Sequence, residues 1–415
     1  TAGYELTYTP NADYAGVATA QFTLNNAYAT SAPATITFNV APRPDPSQDA
    51  EVRGLLNAQA ESTRRFARAQ IDNFQRRLER MHGGRSEKGF SNGLSASFDR
   101  ECPPVVGAIP GKERQCESRS DTHRENLAPE STGRTEDEAA FGVWAGGMVR
   151  SGNHDGRNGS AGSNFETDGV SVGVDFRFND AFALGGGIGY GRDESDIGDN
   201  GTRSEGHALT LAMYASYSPG NAFFVDGLLG YQRLTYDLRR FVTSNQAIVQ
   251  GSRHGTQWFG SIAAGADVTH GDIQFTPYAR IDVAQGTLDQ YTETGDPSYA
   301  LQYGELDVDT TTGNLGLRVD FPHDVSWGVF TPQLRLEYQH DFDGNGATTL
   351  QYADLPSGPF YRTELSDFDK SRLMIGIGAM FSTDGNWSFG IDYRGLIGNG
   401  EDRDHGFMIN IDRKF

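Results

Sequence analysis

Six arginines lie close together between positions 64 and 80, in a stretch that also contains two acidic residues. The arginines are Arg64, Arg65, Arg68, Arg76, Arg77 and Arg80, and the acids are Asp72 and Glu79. A guanidinium group presents five donors in a fixed plane, which suits carboxylates in a narrow and partly desolvated site. The spacing therefore predicts ion pairs between this stretch and acidic side chains elsewhere in the chain.

Catalytic and metal-binding chemistry has less support. A serine hydrolase needs a serine, a histidine and an orienting group, but the histidines are scattered and none lies in a recognisable serine motif. The turn "DFDGNG" (341–346) matches the start of a calcium loop, although Tyr352 occupies the position of the loop's glutamate. We therefore expect no enzymatic activity, no metal site and no cofactor, and a solvated turn at 341–346.

The acids that could pair with the arginines lie in a long series of alternating segments between 140 and 415. Alternate residues of a strand point to opposite faces. In "GVSVGVDFRF" (169–178), one face carries only apolar side chains: Val170, Val172, Val174, Phe176 and Phe178. About twelve such segments begin near positions 140, 167, 181, 204, 221, 254, 272, 304, 325, 365, 386 and 403.

The connections between these segments alternate between short turns, such as 179–180 and 218–221, and long polar loops, such as 192–204 and 238–254. This asymmetry, an even strand count and an apolar face that ends in aromatic residues are typical of an outer-membrane barrel. A soluble β-sandwich is the alternative, but it has no systematic difference between its two sets of loops. The sequence lacks a run of about 18 apolar residues, so no transmembrane helix is expected. We predict a mainly-β fold with a twelve-stranded antiparallel transmembrane β-barrel over 140–415.

The arginines belong to a predicted α-helix over 49–82. Apolar residues from Val52 to Met81 recur near every 3.6 positions, Ser47 or Asp49 can cap the start, and glycines follow the end. About 33 residues span roughly 50 Å, more than the ~25 Å apolar band of a barrel. We predict that this helix threads the pore of the barrel, and an amphipathic surface helix or a coiled coil is the alternative.

The predicted inner faces of the strands supply partners for the arginines. These faces carry eight acids: Asp175, Asp226, Asp267, Asp282, Asp320, Glu337, Asp392 and Asp412. We expect Asp226, Asp267, Asp282 and Asp412 to be among the partners of the helix arginines. Small inward residues such as Gly185, Gly187 and Gly189 would leave room for the helix.

Charge and cysteine usage narrow the surroundings of the chain. A formal net charge of -20 argues against a nucleic-acid partner, because phosphate binding requires a basic surface. Cys102 and Cys116 lie in a polar connector (83–139), and their short spacing predicts a disulfide in an oxidising compartment, with two free thiols as the alternative. No signal peptide opens the chain, and we expect the natural N-terminus to lie upstream.

The end of the chain, "DHGFMINIDRKF" (404–415), resembles the terminal recognition signal of outer-membrane barrels. The matching residues are Gly406, Ile409, Ile411 and Phe415, while Arg413 stands where an aromatic is common. The resemblance implies recognition by the barrel-assembly machinery and by periplasmic chaperones. A closed barrel also leaves no strand edge unpaired in lipid, so the last strand is expected to pair with the first.

Residues 49–415 resemble the translocator domain of autotransporters, the type V secretion proteins, in segments such as "FGVWAGGMVRSG" (141–152) and "FFVDGLLGYQRL" (223–234). The resemblance implies a monomeric barrel in the outer membrane of a Gram-negative bacterium, surrounded by lipid and lipopolysaccharide, that exports and anchors an N-terminal passenger. With twelve strands, residues 83–139 are expected in the periplasm. The alternatives are a porin-like channel with a small cap and an outer-membrane hydrolase.

Residues 1–41 resemble the closing half of bacterial Ig-like repeats and would form a partial β-sandwich, followed by a proline-rich linker (42–48). The matching residues are Tyr8, Pro10, Tyr14, Gly16 and Phe22. Ala18 and Thr19 depart from that family, which often has an aspartate there, and the end of a β-solenoid is the alternative. The resemblance implies an extracellular passenger, with adhesion suggested by analogy alone.

Overall fold

We analysed a computed structural model, which describes residues 7–11, 14–82, 90–94, 140–220, 222–343, 346–365, 370–383, 387–398 and 403–413. A 3₁₀ turn (Pro46–Gln48) precedes a long helix, α1 (Ala50–Met81). The strands are β1 (Gly16–Phe22), β2 (Ala34–Val40), β3 (Phe90–Leu94), β4 (Ala140–His154), β5 (Ser163–Asn179), β6 (Phe182–Ile197), β7 (Thr202–Tyr217), β8 (Phe223–Phe241), β9 (Ile248–Ala266), β10 (Val268–His270), β11 (Ile273–Leu288), β12 (Tyr291–Thr292), β13 (Leu301–Tyr303), β14 (Leu306–Asp320), β15 (His323–Val325), β16 (Gly328–Asp341), β17 (Ala347–Tyr352), β18 (Tyr361–Glu364), β19 (Ser371–Thr383), β20 (Trp387–Gly398) and β21 (Arg403–Arg413).

Twelve of these strands close into one antiparallel barrel, which confirms the predicted number. They are β4 to β9, β11, β14, β16 and β19 to β21. Each pairs with the next, and β21 returns to β4, where Phe407 lies opposite Val149 and Arg403 opposite Asn153. We call the rim with turns such as 180–181 and 218–222 the turn end, and the opposite rim the loop end.

The barrel presents an apolar outer surface because its strands alternate as predicted. On β5, three outward side chains are more than 40% exposed: Val170, Val172 and Val174. The inward side chains of Ser171 and Asp175 are buried. Such a continuous exposed apolar band requires an apolar surrounding, and lipid supplies it. No helix in the described part of the chain is long and apolar enough to span a bilayer.

Two connections at the loop end are shorter than predicted, because the strands on either side extend further. The segment 192–204 was expected to be a loop, but β6 and β7 reduce the connection to 198–201. Similarly, 238–254 shrinks to 242–247 between β8 and β9. Most outward side chains of these extensions are polar, for example Arg192, Asp196 and Arg239, so the apolar alternation weakens in the sequence while the hydrogen-bonded ladder continues.

Helix α1 lies inside the barrel and is buried along nearly its whole length. The Asp49 side chain caps its first turn by accepting hydrogen bonds from the amides of Glu51 and Val52. The helix packs mainly against the wall formed by β5, β6, β7 and β8. The interior therefore contains a packed core instead of an open channel.

A small second sheet covers the loop end. It consists of β12, β13, β17 and β18, which come from the two long loops after β11 and β16. Its side chains, including Leu301, Tyr303 and Leu350, join Leu55 and Leu56 of the helix in one buried apolar cluster. We call this sheet the loop cap.

The first strands, β1 and β2, form a two-stranded antiparallel sheet in which Gly16 lies opposite Val40. An Ig-like sandwich for 1–41 stays a prediction, since this pair is compatible with several β folds. Strand β3 is the described part of the 83–139 connector and pairs with β21 and β4. Cys102 and Cys116 lie outside the described residues, so their disulfide also stays a prediction.

Candidate functional site

The lumen accommodates the helix because its wall carries glycines where the helix approaches most closely. A Cβ atom at Gly187 would lie 2.6 Å from the Val172 carbonyl oxygen and 3.0 Å from the Phe74 ring. A Cβ atom at Gly189 would lie 2.3 Å from Gln70 Oε1. The expectation that these two inward glycines make room for the helix agrees with this packing.

The first helix–wall ion pair joins Arg65 to Asp193 on β6. Nε and Nη2 of Arg65 donate to the two carboxylate oxygens over 2.8 and 2.9 Å, and both side chains are almost completely buried. Thr167 and Ser195 donate further hydrogen bonds to the same carboxylate. The guanidinium group also lies 4.0 Å from the centre of the Phe165 ring. This site is therefore fully satisfied and closed to water.

A second pair joins Arg77 to Asp175 on β5. Arg77 donates from Nε and Nη2 over 2.8 and 2.9 Å, and the Tyr214 hydroxyl donates to Asp175 over 3.0 Å. Trp144 donates to the same hydroxyl and packs edge-on against Phe74 of the helix, with 5.0 Å between ring centres. Polar and apolar contacts thus fix one level of the helix together.

The helix also contributes acids, and the wall supplies arginines for them. Glu79 accepts hydrogen bonds from Arg335 over 2.6 and 2.9 Å and lies 3.1 Å from Arg318 Nη1. Asp72 lies 3.4 Å from Arg150 Nη2 and 3.9 Å from Arg394 Nη1. The prediction of a basic helix in an acidic lumen was wrong in this respect, because the helix and the wall each carry both positive and negative side chains.

The predicted acidic partners lie in the lumen but contact other groups. Asp226 lies 2.7 Å from His82 Nε2, at the end of the helix. Asp282 is paired with Arg280 over 2.9 Å, within its own strand. Asp267 lies 3.7 Å from Arg318 and 3.9 Å from His82. Among the described side chains, these three acids therefore contact wall arginines and the terminal histidine, and the structure does not pair them with the helix arginines as predicted.

The other predicted arginines have mixed positions. Arg64 lies 3.4 Å from Glu61 on the helix itself. Arg68 lines a cavity of about 30 Å³ between the helix and β11 and β14, together with Arg280 and Asn314. Arg76 is partly buried. The side chains of Arg80 and Asp412 lie outside what the structure describes, and so do those of Ile409 and Ile411 and the whole of Phe415; Gly406 lies in β21 opposite Arg150.

The wall arginines were missed by the sequence reasoning, although the signal for them was present. Arg318, Arg335 and Arg394 occupy the polar face of their alternating segments, as the acids do. The prediction considered only the carboxylates on those faces and therefore did not include these arginines.

The two helix ends define the direction of the helix in the barrel. At the turn end, Arg177 Nη2 donates to the Met81 carbonyl over 2.7 Å, which places a cation at the negative end of the helix dipole. At the loop end, the Ala161 amide donates to the Ala50 carbonyl over 3.0 Å, and Asn200 donates to Glu51. The chain therefore enters the lumen from the loop end.

The linker before the helix is held by the loop cap. Arg43 forms a bidentate pair with Asp354, with distances of 2.6 and 2.7 Å, and lies 4.9 Å from the centre of the Tyr352 ring. The Tyr352 hydroxyl donates to the Pro44 carbonyl over 2.8 Å. The hydrogen bonds that the Asp354 carboxylate accepts raise the pKa of Arg43.

The candidate calcium loop uses its first acid for another contact. Asp341 accepts hydrogen bonds from Arg372 over 2.8 Å and from Thr312 over 2.5 Å. Within the described ranges, no group of three or more His, Cys, Asp or Glu residues could hold a metal ion.

Comparisons with known proteins agree with this architecture. The translocator domain of autotransporter NalP from Neisseria meningitidis matches 66% of this chain and 87% of its own, with a TM-score of 0.52 and 17% identity, which indicates a shared fold. Outer membrane protein B of Rickettsia prowazekii is 22% identical over 289 residues, covering 66% of this chain and 18% of that protein.

Two further relatives match this chain at 27% identity. The putative uncharacterized protein YaiT of Escherichia coli K12 covers 63% of this chain with 26% of its own length. Lipase 1 of Photorhabdus luminescens covers 42% of this chain with 27% of its own length. The chain thus spans about a quarter of the length of these relatives.

The barrel also matches a family model directly. The model for the autotransporter beta-domain covers residues 143–394, which is more than half of the chain and includes eleven of the twelve barrel strands at least in part. Together with the outer-membrane relatives, this match assigns the barrel to the outer membrane. The chain therefore belongs to the autotransporter beta-domain family.

Proposed function

We propose that this chain is a translocator that exports and then anchors an N-terminal passenger at the cell surface. The observation that carries the proposal is the helix, which enters the barrel from the loop end and fills the lumen as far as the turn end. A chain that has been exported through its own barrel must leave a segment in the lumen that connects the two sides. Helix α1 and the linker at Arg43 have the length and the contacts for this role.

The proposal includes an orientation. Residues 1–41 are extracellular and form the last part of an Ig-like adhesive passenger, while 83–139 is periplasmic and carries the Cys102–Cys116 disulfide. The barrel acts as a monomer in contact with lipopolysaccharide, and periplasmic chaperones and the barrel-assembly machinery insert it. This function requires no enzymatic activity from the barrel.

A porin-like channel with a small cap is the second candidate. The buried bidentate pairs of Arg65 and Arg77 argue against it, because a permanent channel gains nothing from a helix that fits the lumen so closely.

Surface display tests the proposal. The full chain receives a secretory signal and an epitope before Thr1, and intact cells are labelled with an antibody against the epitope. We expect labelling of intact cells, whereas a point variant that prevents barrel assembly serves as the negative control. An epitope that becomes accessible only after the outer membrane is permeabilised would refute export.

A further inference from the structure

The seam between the first and last barrel strands is the shortest of the twelve junctions, within the described residues. Five residue pairs join β4 directly to β21, whereas nine join β14 to β16 and nineteen join β8 to β9. Backbone pairing is the main force that keeps adjacent strands together in lipid, where unpaired groups are costly. The seam therefore has the shortest direct backbone ladder in the described wall.

The connector separates the two terminal strands near the turn end. Strand β3 runs parallel to β4, with Phe90 opposite Val143, and antiparallel to β21, with Leu94 opposite Ile409. Direct pairing of β4 with β21 is consequently confined to a short stretch from Val149 to Asn153.

At this same level, the helix contributes a buried acid. Asp72 lies 3.4 Å from Arg150 on β4 and 3.9 Å from Arg394 on β20. Arg150 in turn lies 3.2 Å from Asp404 on β21. Charged contacts therefore connect the helix to the first barrel strand, β4, and connect β4 to the last strand, β21. Asp72 also connects the helix to β20.

A cavity of about 10 Å³ lies beside Arg150 and Arg394, and Val149, Leu396 and Phe407 line it. Arg150 and Arg394 are each only 5% exposed, so each depends on the acids for compensation of its buried charge.

We propose that Asp72 acts as a latch that closes the barrel seam once the helix occupies the lumen. The proposal rests on the proposed export function. Before the helix arrives, Arg150 and Arg394 lack the central carboxylate, and the terminal strands are joined by five direct residue pairs, the Arg150–Asp404 contact and β3. The pore can then widen at the seam for a chain in transit. Once Asp72 arrives, it and Asp404 together balance the charges of the two arginines, and the two edges are fixed in register.

Hydrogen–deuterium exchange of the full chain in detergent micelles tests the latch. Asp72→Asn removes the charge and keeps the shape. Amides of 149–153 and 403–407 should exchange at least about tenfold faster in this variant, while amides of β7 keep their rates. Glu79→Gln is the matched control, because Glu79 is another helix acid with two wall arginines, on β14 and β16. It should leave exchange at the seam unchanged.

Two further variants keep the test decisive. Asp72→Glu retains the charge and should restore slow exchange at least in part. Arg394→Gln removes one contact of Asp72 and keeps the pair of Arg150 with Asp404, so the increase should be smaller; this variant also serves if Asp72→Asn does not fold. Equal seam exchange in the wild type, Asp72→Asn and Arg394→Gln, or an equal increase in Glu79→Gln, would overturn the latch.

Surface display of the same variants separates the two proposals. Absence of display for the wild-type chain would refute export. The exchange rates of the seam amides in the variants would still test the latch by themselves. Normal display together with unchanged seam exchange would refute the latch alone.

Discussion

Replacement of Arg65 by glutamine should release the helix from the lumen measurably. The substitution removes both hydrogen bonds to Asp193 and leaves that carboxylate, 1% exposed, with only hydroxyl donors. Loss of one partner of a buried ion pair typically costs about 3 to 5 kcal/mol. The lower figure corresponds to roughly a hundredfold change in the helix-bound population, since each 1.4 kcal/mol is tenfold.

The fluorescence of Trp144 provides the assay, because this ring packs against Phe74 of the helix. The measurement uses the full chain in detergent micelles, with Trp258, Trp327 and Trp387 replaced by phenylalanine. Urea titration then reports release of the helix from the wall. We expect a clearly lower midpoint for Arg65→Gln than for the parent.

The outer wall provides a matched control in the same strand as Asp193. Arg192 is about half exposed and pairs with Glu205 over 2.8 Å, so Arg192→Gln should cost less than about 1 kcal/mol. In a double-mutant cycle, Arg65→Gln combined with Asp193→Asn should cost less than the sum of the single changes. A midpoint for Arg65→Gln within the error of Arg192→Gln would refute the role assigned to the buried pair.

Four further outcomes follow from the structure and the sequence. In planar bilayers, the full chain should conduct poorly and a chain that begins at Gly83 should conduct well; equal conductance would mean that the helix does not plug the pore. Gly187→Ala should destabilise the seated helix by roughly 1–3 kcal/mol, measured by the same fluorescence titration, because the added Cβ meets backbone and Phe74 atoms. Deletion of Phe415 should reduce the yield of heat-modifiable barrel in the outer membrane, and an unchanged yield would contradict the terminal signal. Thiol labelling of non-reduced envelopes should leave Cys102 and Cys116 unmodified, because a disulfide has no free thiol. This disulfide would stabilise the connector by about 3 kcal/mol.

The barrel could be predicted from the sequence because lipid makes alternation almost obligatory on the outer face. Val170 to Phe178 are apolar at every second position, and no compensation elsewhere could replace that pattern. The helix was predicted for a related reason, since the same 3.6-residue period that fits the wall appears in the sequence. Its predicted range, 49–82, differs from Ala50–Met81 by one residue at each end.

The pairings could not be predicted, because they depend on the depth and rotation of the helix in the barrel. Asp175 and Asp226 both lie on inward faces, yet Asp175 pairs with Arg77 of the helix and Asp226 contacts His82 at the helix end. The loop cap was also missed. Its short strands β12 and β13 carry too few residues for a period to be visible, and their apolar side chains are explained only by the helix end that they cover.

The mixture of charges on the helix has a consequence for how far the chain can move. Four charged residues of the helix each pair with an opposite charge on the wall: Arg65, Asp72, Arg77 and Glu79. The first and the last are 14 positions apart, which is about 21 Å along the helix. A purely basic helix in an acidic lumen would be satisfied at many depths. With alternating signs, a shift by one turn moves each group about 5.4 Å and breaks all four contacts at once. The ion pairs therefore define a single resting depth, and at that depth Asp72 reaches the seam while Arg43 reaches the loop cap.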